Sequence, residues 1–163
     1  MKYYLSILFG FVLLAFVSCQ KMEENEKKAI RAVIEESTNA YKARDFNRLA
    51  AIYVQDESII RLNTGKYDFS YSTGWENIGS AYQDLFETNP DPIITKYEKI
   101  NYRIKVYKKS AWVVHDEIIY DSENEYQYKQ IGIHLLEKKK GEWKIVYLSY
   151  ADVSSYEVGT EPE

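Results

Sequence analysis

The chain is poor in the residues that disulfide, metal and redox chemistry need. Among 163 residues it has one cysteine, Cys19, and two histidines, His115 and His134. A lone thiol cannot close an intramolecular disulfide. With no His-x-x-x-His or Cys-x-x-Cys spacing, the three or four converging ligands of a metal site are missing, so neither a metal nor a cofactor is expected. No Gly-x-Ser-x-Gly elbow occurs, and Asn63-Thr-Gly-Lys66 fits a hairpin turn better than a phosphate loop. Excess positive charge is missing too. The formal net charge is −4, which carries no electrostatic footprint for nucleic acid and reads as solubility. Nor is there a comfortable membrane span, which takes about 20 apolar residues.

The longest apolar run comes first. Lys2 is followed by a nearly unbroken apolar stretch, Tyr3 to Val17, of the length of a signal-peptide core. It ends at Phe16-Val17-Ser18-Cys19. This resembles a bacterial lipoprotein signal, in which small residues precede a cysteine that is lipidated and becomes the mature N-terminus. Val17, Ser18 and Cys19 match; Phe16 stands where leucine is usual. The resemblance implies that residues 1–18 are a removed signal peptide and that acylated Cys19 holds the protein on a lipid bilayer in the bacterial cell envelope. It would then face the periplasm or the exterior. Each buried methylene of an acyl chain contributes about 0.8 kcal/mol. A plain secretory signal, or an anchor helix with an incidental cysteine, is the alternative. Residues 19–26 are polar and acidic, and read as a tether.

The remainder alternates helical and strand periods. Ile30, Val33, Ile34, Ala40 and Tyr41 recur at helical spacing in an amphipathic helix over 24–42. Asp45 is an N-cap for a second helix over 46–53. Strand-like segments follow at 58–62 and around Tyr67, Phe69 and Tyr71. A third helix over 75–88 carries Ile78, Tyr82, Leu85 and Phe86, and Asn89-Pro-Asp-Pro92 stops it. From Ile93 to Ser154 the period is two, as in Ile100, Tyr102, Ile104, Val106 and again in Trp143, Ile145, Tyr147. Turn signals at 108–110, 121–124 and 138–141 divide this run into a four-strand antiparallel meander. Residues 155–163 form a polar tail.

Three patterns sit in this order: Ala43-Arg-Asp45-Phe46 with Leu49-Ala-Ala-Ile-Tyr53, then Gly74-Trp-Glu-Asn-Ile78, then Gly141-Glu-Trp143-Lys-Ile-Val-Tyr147. Together they resemble the nuclear transport factor 2-like superfamily, and within it the SnoaL-like domains, over residues 24–154. The resemblance implies an α+β fold: a cone-shaped, strongly curved antiparallel sheet wrapped by three helices, with a cavity at its open end. Members often dimerise through the outer face of the sheet, so a homodimer is a possible state. The superfamily holds both enzymes and binding domains, so the fold alone does not name an activity.

Carrying ketosteroid isomerase positions across puts the general base on Arg61, the oxyanion-hole tyrosine on Ser37 and the neutral acid near Ile133. None can fill its role; an arginine, above all, cannot abstract a proton. The remaining catalytic candidate is His115, which shares a strand face with Val113 and Glu117 and could act as general base, oriented by Glu117 or Asp56. Its bland counterpart is a satisfied strand histidine. The 16 tyrosines suit half-buried sheet surfaces and pocket walls alike. Tyr53, Arg61, Trp75, Tyr82, Phe86, His115 and Tyr147 are the candidate ligand-binding set, with core packing as the alternative for the aromatics. Arg61 could hold a carboxylate if it points inward, or be a solvated charge if outward. The expected role is binding of a small amphipathic molecule, or of a partner protein through the sheet. The alternative is a lyase, isomerase or hydrolase. The anchor has a direct test: Cys19→Ala should abolish incorporation of a labelled fatty acid and release the protein from membranes, whereas equal labelling of both forms would rule lipidation out.

Overall fold

The structure, a computed structural model, describes residues 2–64, 69–93, 95–120 and 125–153, with backbone alone at 2–20, 126 and 127. The expected turn at Gly65-Lys66, Tyr67 and the tail lie outside these residues. Three helices, α1 (Lys2–Lys42), α2 (Phe46–Ile52) and α3 (Trp75–Thr88), accompany six strands. The strands are β1 (Ile60–Thr64), β2 (Phe69–Thr73), β3 (Lys96–Val106), β4 (Ser110–Tyr120), β5 (Tyr126–Lys139) and β6 (Glu142–Asp152). Among the described residues no helix is long and apolar enough to cross a membrane.

Helix α1 passes without a break through 19–26, the segment expected to be a tether. No glycine or proline stands between Gly10 and Gly65, so nothing in the backbone chemistry interrupts the helix there. Near the end of that segment the Glu26 carboxylate accepts hydrogen bonds from Lys138 Nζ at 2.6 Å and Trp143 Nε1 at 2.7 Å. Helix α2 starts as its sequence indicates, with the Asp45 side chain accepting from the Arg48 amide at 3.0 Å.

The six strands form one curved open sheet in the order β2-β1-β6-β5-β4-β3. The meander from β3 to β6 is antiparallel, as its turns require. The sheet as a whole is mixed rather than antiparallel, because β1 pairs with β6 in parallel. The meander leaves the edge of β6 open, and the chain runs along it in the same direction, from the bridge Tyr53–Ile145 to the pair Thr64–Ala151.

Two β-bulges decide which side chains face the helices. On β3, Asn101 takes φ 55°, and Asn101 and Tyr102 together stand between the pairs Ile100–Asp116 and Arg103–Val114. One extra residue reverses the alternation. Tyr102, Ile104 and Val106 pack on the core as expected, but before the bulge Lys99 turns inward, and Ile100 faces away. On β6, Leu136 pairs with Ile145 and Leu135 with Tyr147, leaving Val146 extra. Trp143 and Ile145 face inward, then Leu148 and Tyr150 do, and Tyr147 is turned to the outer face beside exposed Leu135.

Helix and sheet faces meet in a core of Ile30, Ile34, Leu49, Ile78, Tyr82 and Phe86 against Val113, Leu136, Ile145 and Leu148. Polar side chains are buried within it. The Lys99 ammonium lies 2.9 Å from the Glu117 carboxylate, with the side chains only 1% and 2% exposed. Thr38 Oγ1 accepts from Lys99 Nζ, and Gln130 Nε2 donates to Glu117 Oε2. Glu117 Oε1 receives no well-aligned hydrogen bond, so its link to Lys99 is chiefly one of charge.

One step along β4, His115 Nε2 and His134 Nε2 are 3.2 Å apart across nearly parallel rings. His115 Nδ1 faces the Asp116 carbonyl at 3.4 Å, and a carbonyl can only accept. The proton therefore sits on Nδ1 of His115, His134 Nε2–H donates across the pair, and His134 Nδ1 is a buried acceptor without a donor. Both rings are neutral in this arrangement. Burial pushes both below the ordinary imidazole range, His134 furthest, with repulsion from His115 and Lys99 adding to the shift. Gly132 makes the pair possible: a Cβ there would stand 2.5 Å from Cε1 and Nε2 of His115.

Ile34 is completely buried, so Ile34→Ala should cost roughly 2–5 kcal/mol; an unchanged denaturant midpoint would show that α1 is not docked. The histidine pair adds a pH dependence. With folded pKa values depressed below the unfolded value near 6.5, the unfolded chain binds more protons below that pH. Stability is full above about pH 6.5 and falls as the pH drops below it. The denaturant midpoint should therefore be lower at pH 5.5 than at pH 7.5. The variant His115→Gln/His134→Gln should lose that difference, and an undiminished slope would assign it to other groups.

Candidate functional site

Helices and sheet enclose a cavity of about 740 Å³. Helix α1 supplies Ser37, Thr38 and Tyr41 from one helical stripe; α2 and its end supply Leu49 and Tyr53, and α3 supplies Tyr82. The sheet contributes Arg61 and Asn63 from β1, Glu117 from β4 and Gln130 from β5. Leu148, Tyr150 and Asp152 come from β6, every second residue after the Val146 bulge. Tyr97 and Tyr128 are its more exposed tyrosines.

The deep wall is phenolic. Tyr53 Oη and Ser37 Oγ are 3.0 Å apart and hydrogen-bonded. The rings of Tyr53 and Tyr82 stack with centroids 6.2 Å apart. Burial pushes the hydroxyls of Tyr53, Tyr82 and Tyr150 above their ordinary range, and that of Tyr97 up to about 12. They therefore serve as neutral hydrogen-bonding groups near pH 7.

Arg61 points inward, with its guanidinium 4.9 Å from the centroid of the Tyr82 ring. The Asn63 amide, oriented with its nitrogen on the Leu62 carbonyl, puts its oxygen 3.1 Å from Arg61 Nη2. Arg61 Nε is buried without an acceptor. Among the described residues no carboxylate lies within ion-pair distance of this guanidinium, while Glu117 on the same cavity wall is matched by Lys99. No three His, Cys, Asp or Glu side chains converge as metal ligands among the described residues.

Of the residues singled out from sequence, Tyr53, Arg61 and Tyr82 line the cavity, and Trp75, Phe86, His115 and Tyr147 do not. Trp75 stacks on Phe46 and leans on Tyr53 from behind, at 6.1 and 5.9 Å. Phe86 packs against Tyr41 and Tyr82 at 5.8 and 6.0 Å, in the core. His115 is wholly buried between Tyr102 and His134. Tyr147 faces away because of the bulge. Asp56 bonds the Ser58 amide and hydroxyl in an exposed turn and orients no histidine. Of the isomerase positions, Ser37 and Arg61 do line the cavity, and Ile133 lies on the outer face, 37% exposed. Sequence reasoning passed over Tyr41, Glu117 as a wall residue, Tyr150 and Asp152. Helical spacing from Ile34 could have found Tyr41; no local signal marks the other three.

The model for the SnoaL-like domain matches residues 30–152. No curated protein matches the chain. Solved structures share the fold at low identity. A nuclear transport factor 2-like protein of unknown function from Pseudomonas putida is 14% identical, with TM-score 0.65 over 78% of this chain and 87% of that one. A Nostoc punctiforme protein with a cystatin-like fold is 13% identical, with TM-score 0.63 over 80% and 93%. A Streptomyces avermitilis protein, provisionally described as a dehydratase of the nuclear transport factor 2-like family, is 10% identical, with TM-score 0.66 over 80% and 98%. With the matched segment running from the second half of α1 to the end of β6, the chain belongs to the family of SnoaL-like domains, in the nuclear transport factor 2-like fold.

Proposed function

We propose that this protein is a lipid-anchored component of the cell envelope whose SnoaL-like domain binds a small amphipathic molecule without turning it over. The observation that carries this reading is the cavity wall. A space of about 740 Å³ falls within the range of about 300–1,000 Å³ of small-molecule sites. Tyrosine and leucine form about half of its wall, with Arg61, Glu117 and Asp152 as its charged residues, and both histidines are buried outside it. A general base must come within hydrogen-bond reach of the proton it takes. Both nitrogens of His115 are engaged, with the Asp116 carbonyl and His134. Glu117 reaches the cavity but is held by Lys99 and Gln130. The rival reading, a lyase, isomerase or hydrolase, has the provisional dehydratase among its fold neighbours and would need a base other than His115 or Glu117.

A second surface supports association. Trp112, Ile133 and Leu135 are apolar and exposed on the outer face of the central strands, with Trp112 paired to Leu135 in register. Tyr147, turned outward by the bulge, extends the patch beside Leu135. A second copy of the chain, docking sheet to sheet, is the proposed occupant.

The cavity reading is tested with the chain lacking residues 1–18 and a neutral, environment-sensitive dye. Saturable binding is expected, weakened severalfold by Tyr82→Ala and retained by His115→Gln at unchanged pH. Loss of a turnover activity in His115→Gln, with dye binding and melting temperature preserved, would instead establish the enzyme.

A further inference from the structure

Arg61 is the place where the cavity is chemically incomplete. A guanidinium is charged at any ordinary pH and presents five N–H donors in a planar fork. Here one edge of that fork meets the Asn63 amide oxygen, the face lies over Tyr82, and Nε has no acceptor although it is shielded from water. Leaving a buried donor unpaired costs the desolvation of that group, so a site that does so in its resting form is suited to a ligand acceptor. The acids of the same cavity do not fill the role. Glu117 is neutralised by Lys99 at 2.9 Å. Asp152 stands four residues along β6 from Leu148, the register partner of Arg61, a backbone separation of about 13 Å.

Resting on the binding function proposed above, we infer that the ligand is a small aromatic or conjugated monocarboxylic acid, its carboxylate held by Arg61, which Asn63 helps to position, and its planar body lying among Tyr53, Tyr82 and Tyr150. The single negative charge follows from the charge count of the wall. Arg61 is the only cation among the described lining residues, so a second anionic group would find no cation to pair with. The planar head follows from the guanidinium, which pairs two parallel N–H donors with the two oxygens of a carboxylate. The aromatic body follows from ring faces that reward offset stacking, with neutral hydroxyls of Tyr53 and Tyr150 available to a polar ring substituent.

The test uses the full-length protein in detergent, with protein-free micelles as the blank, and titrates 2-naphthoate against its neutral isostere 2-naphthamide by calorimetry at pH 7.5. Naphthoate should bind roughly 10- to 100-fold more tightly than the amide, the range expected of hydrogen bonds to a charged group. Arg61→Gln should bring the naphthoate-to-naphthamide affinity ratio down to about one, while Arg61→Lys, which keeps the charge and loses the fork, should give an intermediate ratio. If Arg61→Gln does not fold, the naphthoate-to-naphthamide ratio of the natural protein decides alone. Equal affinities for acid and amide would overturn the anionic subsite and leave the binding function standing. Failure of both probes, together with failure of the neutral dye, would overturn the binding function itself.

Discussion

Side chains along a strand must alternate between faces, and only an extra residue can reverse the alternation without ending the strand. The interior of this protein depends on that constraint and on two of the places where it is broken, one on β3 and one on β6. Asn101 re-aims β3 so that Lys99, rather than Ile100, enters the interior opposite Glu117. Val146 re-aims β6 so that Leu148, Tyr150 and Asp152 face the helices and Tyr147 does not. Without the first bulge Glu117 would be a buried carboxylate lacking its cation. Without the second, the cavity would lose three of its wall residues and the outer sheet face would lose Tyr147.

The buried polar side chains are compatible with folding because they are matched to one another. Desolvating Lys99 and Glu117 separately would cost several kcal/mol per ion. Their 2.9 Å approach, with Thr38 on the ammonium and Gln130 on the carboxylate, offsets much of that cost. The histidines are accommodated differently. They stay neutral, share one proton donor across Nε2···Nε2, and occupy space that Gly132 leaves free. Both devices tie β4 to its neighbours through groups other than the backbone ladder, and both use up polar capacity that would otherwise face the cavity.

That consumption favours the proposed binding function over chemistry in this site. Reactive groups are near the cavity, but the imidazoles hold one another and the Glu117–Lys99 pair is closed on itself. The groups that face the space include neutral phenols, one guanidinium, small polar side chains and the Asp152 carboxylate. Such a wall suits the proposed recognition of shape, aromatic surface and a single charge.

Much of the fold was legible in the sequence. The stripe of Ile30 and Ile34, the Asp45 cap, the stop at Asn89-Pro90 and the turn-bounded strands each report local physics, and each element formed where that physics put it. The cavity positions Tyr53 and Tyr82 were legible as well, since they lie on or just beyond helices with unbroken periodicity. Continuity of α1 through 19–26 was a matter of helix propensity outweighing a polar composition that read as a tether. The placement of Lys99, Tyr147 and Tyr150 was not legible, because a bulge adds one residue without any composition of its own. Its cost or gain is settled by the neighbouring strand. Whether Arg61 faced water or the interior was open for a related reason. In the five-residue strand β1, alternation puts Ile60 and Leu62 on one face and the polar Arg61 and Asn63 on the other. That pattern by itself would send Arg61 to water; pairing with β6 instead places Arg61 inward over Tyr82.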